Sequence, residues 1–230
     1  MRVEVTSLES GYGSATVLRG TDIRVDDGAA LAVVGRNGMG KTTLLRTILG
    51  YLRPSAGTVA LDSVDVTGWL PERVVRRGVG YGPQDEAVFA DLSVADNLAA
   101  SSHRTDPRRR AEVLDHFPTI GQRLRQRAGT LSGGEQKMLT LCRVLLGGPR
   151  LLILDEITDG LQPSVVDTVV RVLRWERQER GTTLLLVEQN IDVSLAVCDR
   201  VAVLKRGQLI AETPVDAPTV RSDLFGLLSP

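Results

Sequence analysis

The chain has 230 residues, of which 42% are hydrophobic and 24% charged, proportions that suit a globular protein able to bury a substantial core. Its 28 basic and 28 acidic side chains cancel, which excludes any global pull toward nucleic acid or an anionic membrane surface. No stretch reaches the about 18 apolar residues of a membrane span, and the opening Met1-Arg2-Val3-Glu4-Val5 lacks the apolar core of a signal peptide, so a cytoplasmic protein is expected.

In chain order, residues 3–34 read as short strands: Val3, Val5 and Leu8 alternate with polar neighbours, followed by Thr21–Val25 and the apolar run Ala29–Val34. Thr58–Val66 alternates too, with Asp62-Ser63 as a turn, and such period-2 patterning fits an antiparallel sheet with one wet face. Ala30–Val34, Leu151–Leu154, Thr183–Val187 and Val201–Leu204 are instead almost wholly apolar, as parallel strands covered on both faces require. Helical stretches lie between them, at Lys41–Leu52, Gln136–Leu146 and Pro163–Glu179. Residues 86–130 contain no buried-strand run but do contain helix starts, Ser93 with Asp96 three later and Asp106 before Pro107. That segment reads as a helical insertion whose arginines (Arg104, Arg108, Arg109, Arg110, Arg123, Arg125 and Arg127) read most simply as a solvated face, the alternative being contact with a partner. Cys142 and Cys198 read as reduced core thiols, and His103 and His116 as surface residues without metal-ligand spacing. The chain has 25 arginines and only three lysines, Lys41, Lys137 and Lys205, which makes each lysine worth inspecting.

The strongest local motif is Gly35-Arg36-Asn37-Gly38-Met39-Gly40-Lys41-Thr42, directly after an apolar strand and directly before a helix. Its glycines let successive backbone N–H groups turn inward on phosphate oxygens, and the helix adds its positive N-terminal end. Lys41 can reach the β- and γ-phosphates, the Thr42 hydroxyl can ligate Mg²⁺, and Thr43 adds a hydroxyl for the α-phosphate. A second motif, Leu131-Ser132-Gly133-Gly134-Glu135-Gln136, precedes an apolar helix. Ser132 and Glu135 alone would make a capping box, but that leaves two glycines in a first helical turn, each costing about 0.5–1 kcal/mol, unexplained unless another group approaches the bare backbone. A third, Leu151–Leu154 followed by Asp155-Glu156, is a buried strand ending in two carboxylates whose side chains point apart and so need different tasks. Asp155 suits a Mg²⁺ ligand and Glu156 a base that polarises the attacking water.

Leu131–Gln136, lying between the phosphate loop and the acidic strand end, resembles the signature of ABC ATPases, and the resemblance covers nearly the whole chain. It implies an α/β fold over residues 1–230: a phosphate-loop (RecA-like) doubly wound core at about 31–56 and 141–210, an N-terminal antiparallel β-subdomain at about 1–30 and 57–82, and an inserted α-helical subdomain at about 86–140. It also implies that Gly35 to Thr43, including Arg36, Asn37 and Met39, bind ATP, and that Ser132, Gly133, Gly134 and Glu135 reach the ATP of a second subunit. Tyr12, in Gly11-Tyr12-Gly13, corresponds to the aromatic that stacks on adenine, the alternative being a turn tyrosine packed on the β-layer. Gln84 corresponds to the glutamine that touches Mg²⁺ and senses the membrane subunit, making Thr42, Gln84 and Asp155 the metal set. Thr158-Asp159-Gly160-Leu161 corresponds to the loop that crosses the dimer interface.

Two departures from the family pattern stand out. Ile157 replaces the usual proline after the catalytic glutamate, and Gln189 stands where most members carry a histidine. A glutamine can donate a hydrogen bond to the γ-phosphate but cannot become cationic. Gln189 is therefore expected to position phosphate and water without proton transfer, beside Glu156 in the catalytic pair.

The phosphate loop, Gly160-Leu161-Gln162-Pro163 and Val187-Glu188-Gln189-Asn190 are similar to importer ATPases of the branched-chain amino acid type. The urea or short-chain amide importers share these features, including a stretch like Gln162-Pro163-Ser164, and the lack of a C-terminal regulatory domain before Pro230 agrees with both. The implied partners are two membrane permease subunits, a sister ATP-binding subunit or a second copy of the chain, and indirectly a solute-binding protein, with no nucleic acid. The implied location is the inner face of a bacterial cell membrane. An exporter ATPase shares the whole fold, and a soluble ABC ATPase of an iron–sulfur assembly scaffold is the alternative of another class.

Overall fold

Alternating strands and continuous apolar strands separate into two sheets, and the contact between them builds the site. The computed structural model describes residues 1–84, 88–101 and 106–228. The chain begins β1 (Val3–Tyr12), β2 (Ala15–Val25), β3 (Ala30–Val34), α1 (Lys41–Ile48), β4 (Ala56–Leu61), β5 (Val64–Asp65), α2 (Pro71–Val75) and β6 (Val79–Gly82). Four helices follow, α3 (Val94–Ala99), α4 (Pro107–His116), α5 (Pro118–Gly121) and α6 (Gly133–Leu146). The remainder is β7 (Leu151–Asp155), α7 (Pro163–Arg180), β8 (Thr183–Glu188), α8 (Ile191–Val197), β9 (Arg200–Lys205), β10 (Gln208–Pro214) and α9 (Val220–Leu228).

The antiparallel sheet has the order β2-β1-β4-β5. Val3, Val5 and Leu8 all reach the core although Leu8 breaks the parity, because β1 slips register between Val5 and Leu8, where Ser7 takes a φ of 46°. Asp62 and Ser63 turn the chain between β4 and β5 with φ of 50° and 63°, the geometry that matches the twist of a hairpin. The second sheet has the order β10-β9-β3-β8-β7-β6 and is parallel from β9 to β6. Leu31, Val33, Leu151, Ile153 and Leu185 face α1 and the antiparallel sheet, while Ala32, Val34, Leu152, Leu154 and Leu186 face α6, α7 and α8. Covering on both faces is why these strands read as unbroken apolar runs. β10 pairs antiparallel with β9, and its residues alternate between exposed and half-buried, so no apolar run announces it. α1 ends at Ile48, short of Leu52, because the N–H groups of Tyr51 and Leu52 both turn back to the Arg46 carbonyl.

Two expectations are corrected, those for Arg109 and His116. Arg109 is not on a solvated face: it is 7% exposed, its Nη2 lies 2.6 Å from Glu176 of α7, and its Nε and Nη2 donate to the Leu145 carbonyl. This ion pair pins α4 to α7, with Thr182 donating to the other Glu176 oxygen at 2.9 Å. His116 is half-buried against the Trp175 ring, centroids 4.3 Å apart, and burial lowers its pKa. His103 and Arg104 lie outside the described residues. Cys142 and Cys198 are free and buried, and burial pushes both thiols well up.

Removing one member of a buried ion pair strands the other, at a cost of about 3–5 kcal/mol. Arg109→Ala is therefore expected to lower the thermal midpoint by roughly 10 °C, whereas an apolar pair at 109 and 176 restores most of it. A fall below about 2 °C in differential scanning calorimetry would show that the pair contributes nothing.

Candidate functional site

Because β3, β8, β7 and β6 are consecutive neighbours running parallel, their C-terminal ends emerge side by side. Val34 is level with Glu188, Asp155 with Val187 and Gly82 with Leu154. The phosphate loop, Gln189, the Asp155-Glu156 pair and Gln84, distant in sequence, therefore meet at one edge. Val17, Asn37, Gly38, Gly40, Lys41, Thr42, Thr43, Gln84 and Glu156 line a cavity of about 500 Å³ there. Val17, from the antiparallel sheet, is a lining residue that no motif announces.

The loop glycines have two different reasons. Gly40 has a φ of 106°, a conformation closed to most side chains, and it opens α1. Gly35 instead has no room: a Cβ there would stand 2.5 Å from the Leu204 carbonyl oxygen of β9. Lys41 is 4% exposed and donates to the carbonyls of Gly35 at 2.7 Å and Arg36 at 3.2 Å. Its Nζ also lies 3.0 Å from Oε1 of Glu156. Met39 accepts through its carbonyl from Gly207 at 3.0 Å, tying the loop to the β9–β10 turn.

Glu156 is the hub. Its Oε2 accepts from Gln84 at 3.2 Å and from Gln189 at 2.8 Å, and Gln189 also donates to Oδ1 of Asn37 at 2.8 Å. Its φ is 46°, a left-handed conformation that a carboxylate occupies only when the surrounding structure imposes it. Ile157, in the position of the missing proline, is fully buried in the core beneath α6 and α7. Asp155, the last residue of β7, carries a different set of contacts, because the chain leaves the strand at Glu156 in its left-handed conformation. It is buried, its Oδ1 has no hydrogen-bond partner, and the Thr42 hydroxyl donates to the carboxylate through the other oxygen. Burial raises its pKa, with the Thr42 hydroxyl pulling the other way. An unpartnered buried carboxylate oxygen beside a hydroxyl fits Mg²⁺, which takes few protein ligands and completes its shell with water and phosphate.

Tyr12 ends β1 and is 45% exposed, so it is not packed into the β-layer. Ser132 to Glu135 stand apart from the phosphate cavity of their own chain. Ser132 caps α6 and makes the full capping box with Glu135, whose pKa is lowered chiefly by the Ser132 N–H. A Cβ at Gly133 would meet no atom within 4 Å. Glycine there answers to no packing within this chain.

The structure adds contacts that no motif announced. Glu188, buried at the end of β8, accepts from the N–H of Thr158 at 3.0 Å and from its hydroxyl at 2.8 Å. Burial raises the Glu188 pKa while those bonds oppose the rise. Gln189→Ala removes a donor from Glu156 and frees Asn37, so turnover should fall about tenfold with ATP binding intact. A loss of twofold or less in phosphate release would mean that the side chain is dispensable.

A phosphate loop, a strand-end Asp-Glu pair and a doubly wound sheet together define a phosphate-loop ATPase. The chain belongs to the ABC transporter family, whose model matches residues 18–159. It is 35% identical over 203 residues to the high-affinity branched-chain amino acid transport ATP-binding protein BraG of Pseudomonas aeruginosa, covering 86% of this chain and 87% of that one. It is 33% identical to the probable branched-chain amino acid transport ATP-binding protein LivF of Archaeoglobus fulgidus, covering 90% and 89%. It is also 36% identical to the Fe(3+) ions import ATP-binding protein FbpC 1 of Rhodococcus jostii, but spans only 66% of that longer protein. A nucleotide-free ATP-binding cassette from an ABC transporter superposes with a TM-score of 0.84 at 23% identity over 100% of this chain and 96% of its own, which establishes the fold.

Proposed function

We propose that this chain is the ATP-hydrolysing subunit of an ABC importer for branched-chain amino acids or related small amides, working as one half of a pair. The observation that carries the hydrolytic part is the Glu156 carboxylate, held by Lys41, Gln84 and Gln189 at the mouth of the phosphate cavity. In this reading Lys41 and the loop N–H groups bind the β- and γ-phosphates, and Glu156 takes the proton of the attacking water. Gln189 and Gln84 fix the direction of that carboxylate. Tyr12 offers an exposed face to adenine. Thr42 and Asp155, with Gln84 nearby, would hold Mg²⁺, whose charge offsets that of the phosphates.

Pairing is supported by residues 132–135. Ser132 and the N-terminal end of α6 form an anion-ready helix start, Gly133 is bare for no reason internal to the chain, and neither lines the chain's own phosphate cavity. A second copy or a sister subunit arranged head to tail brings this end to the other ATP. Membrane permease subunits are the partners in this reading, supported by the match to transport ATP-binding proteins, and among the described residues no helix is long and apolar enough to cross a membrane. The substrate class is supported by the near full-length match to BraG and LivF, compared with the partial span of the iron importer protein.

Affinity purification from detergent-solubilised membranes tests the assignment. Recovery of two permease subunits, with ATPase activity raised by a solute-binding protein carrying leucine, is the expected result. Recovery of a soluble scaffold complex overturns transport, and stimulation by neither leucine nor a small amide such as urea overturns the substrate class.

A further inference from the structure

The function proposed above employs Lys41 but gives no task to Lys137, one of three lysines among 28 basic residues. Lys137 lies in the second turn of α6, on the helix that begins at Ser132. Its Nζ donates to the Asp159 carbonyl at 2.6 Å and lies 3.5 Å from the carbonyl of Glu156 itself. The turn from Glu156 to Leu161 is thereby held on the α6 side, while Glu188 holds it from β8 through Thr158. A second contact runs the same way, since the Leu161 side chain lies 3.5 Å from where a Cβ of Gly134 would stand. With Glu156 in a left-handed conformation, the orientation of its peptide sets where its carboxylate points. A compact ammonium with three rotatable donors can serve two carbonyls of one tight turn, whereas the flat fork of arginine is shaped for carboxylates.

We propose that Lys137 is a positioning residue that couples the start of α6 to the Glu156 carboxylate. Within each chain, the end that serves the partner's nucleotide is tied by one side chain to the turn that serves the chain's own. This coupling rests on the paired arrangement proposed above.

The test uses the full chain with Mg-ATP. Lys137→Met keeps the aliphatic stem and removes the ammonium. It is expected to lower kcat about tenfold with KM for ATP within about twofold, the size of one lost charge-assisted hydrogen bond. Lys137→Arg, whose flat fork does not suit two carbonyls of one turn, restores only a small part of the rate, and the thermal midpoints of both variants stay within about 3 °C of the parent. Glu156→Gln and the double variant Glu156→Gln/Lys137→Met should form the ATP-bound dimer equally well in sedimentation, because the coupling acts after nucleotide engagement. A Lys137→Met kcat within twofold of the parent overturns the proposal. So does a double variant that fails to dimerise where Glu156→Gln succeeds, which would make Lys137 a support of the α6 end alone. If Glu156→Gln itself stays monomeric at saturating ATP, the paired reading falls, and the coupling with it.

Discussion

Glu156→Gln is expected to lower ATP turnover by about 10²–10⁴-fold, the range ascribed to a general base, while leaving ATP binding intact. The substitution keeps the shape of the side chain and removes the charge. In the structure one oxygen faces Lys41 at 3.0 Å and the other accepts from Gln84 and Gln189. Three donors converge on this group, so it must be an acceptor through both oxygens. A glutamine can accept through one only, and its NH₂ then confronts either the Lys41 ammonium or two side-chain amides. The variant thus loses both the base and part of its orientation. Binding survives because, in the proposed function, the phosphate contacts come from the loop and from Lys41. Phosphate release under saturating ATP, together with the affinity for a fluorescent ATP analogue, measures the two halves separately. A loss below about tenfold would mean that Glu156 is not the base.

Lys41→Ala is expected to fail at the earlier step, with ATP affinity down by about 100-fold or more. Charge-assisted hydrogen bonds contribute about 1.5–3 kcal/mol each, so two phosphate contacts account for that factor. The geometry adds a second effect. Lys41 is the cation partnered with Glu156, and both side chains are almost entirely buried. Without it the carboxylate keeps only amide donors, and the chain lacking nucleotide should unfold several degrees lower. Lys41→Arg does not substitute, because a planar fork cannot enter a loop where a single ammonium donates to the carbonyls of Gly35 and Arg36. Isothermal titration with Mg-ATP measures the affinity, and a change under about fivefold would remove Lys41 from the phosphate site. The two variants separate cleanly: one binds without turning over, the other does not bind.

Much of this site is legible along the chain because its pieces are local. Gly35 to Thr42 must be contiguous to wrap a phosphate, and Asp155-Glu156 are neighbours at the end of one apolar strand. Nothing comparable marks Arg109. It stands in a run of three arginines, Arg108 to Arg110, that looks uniformly solvated, yet its partner Glu176 is 67 residues away. β10 leaves no mark for a different reason, since its three apolar residues, Leu209 to Ala211, are too few to read as a buried strand.

The sequence by itself therefore determined the class of chemistry: a phosphate loop on a buried strand, an acidic strand end and a glycine pair at a helix start. Each is a short-range pattern fixed by backbone geometry. Only the tertiary structure decided which groups touch. Parallel pairing of β3, β8, β7 and β6 sets Lys41, Gln189 and Gln84 around Glu156, and the packing of α6 against the following turn brings Lys137 to Asp159. Such contacts join residues whose separation along the chain is set by the lengths of intervening helices. No local pattern encodes them, because they arise when the two hydrophobic faces of one sheet are covered at once.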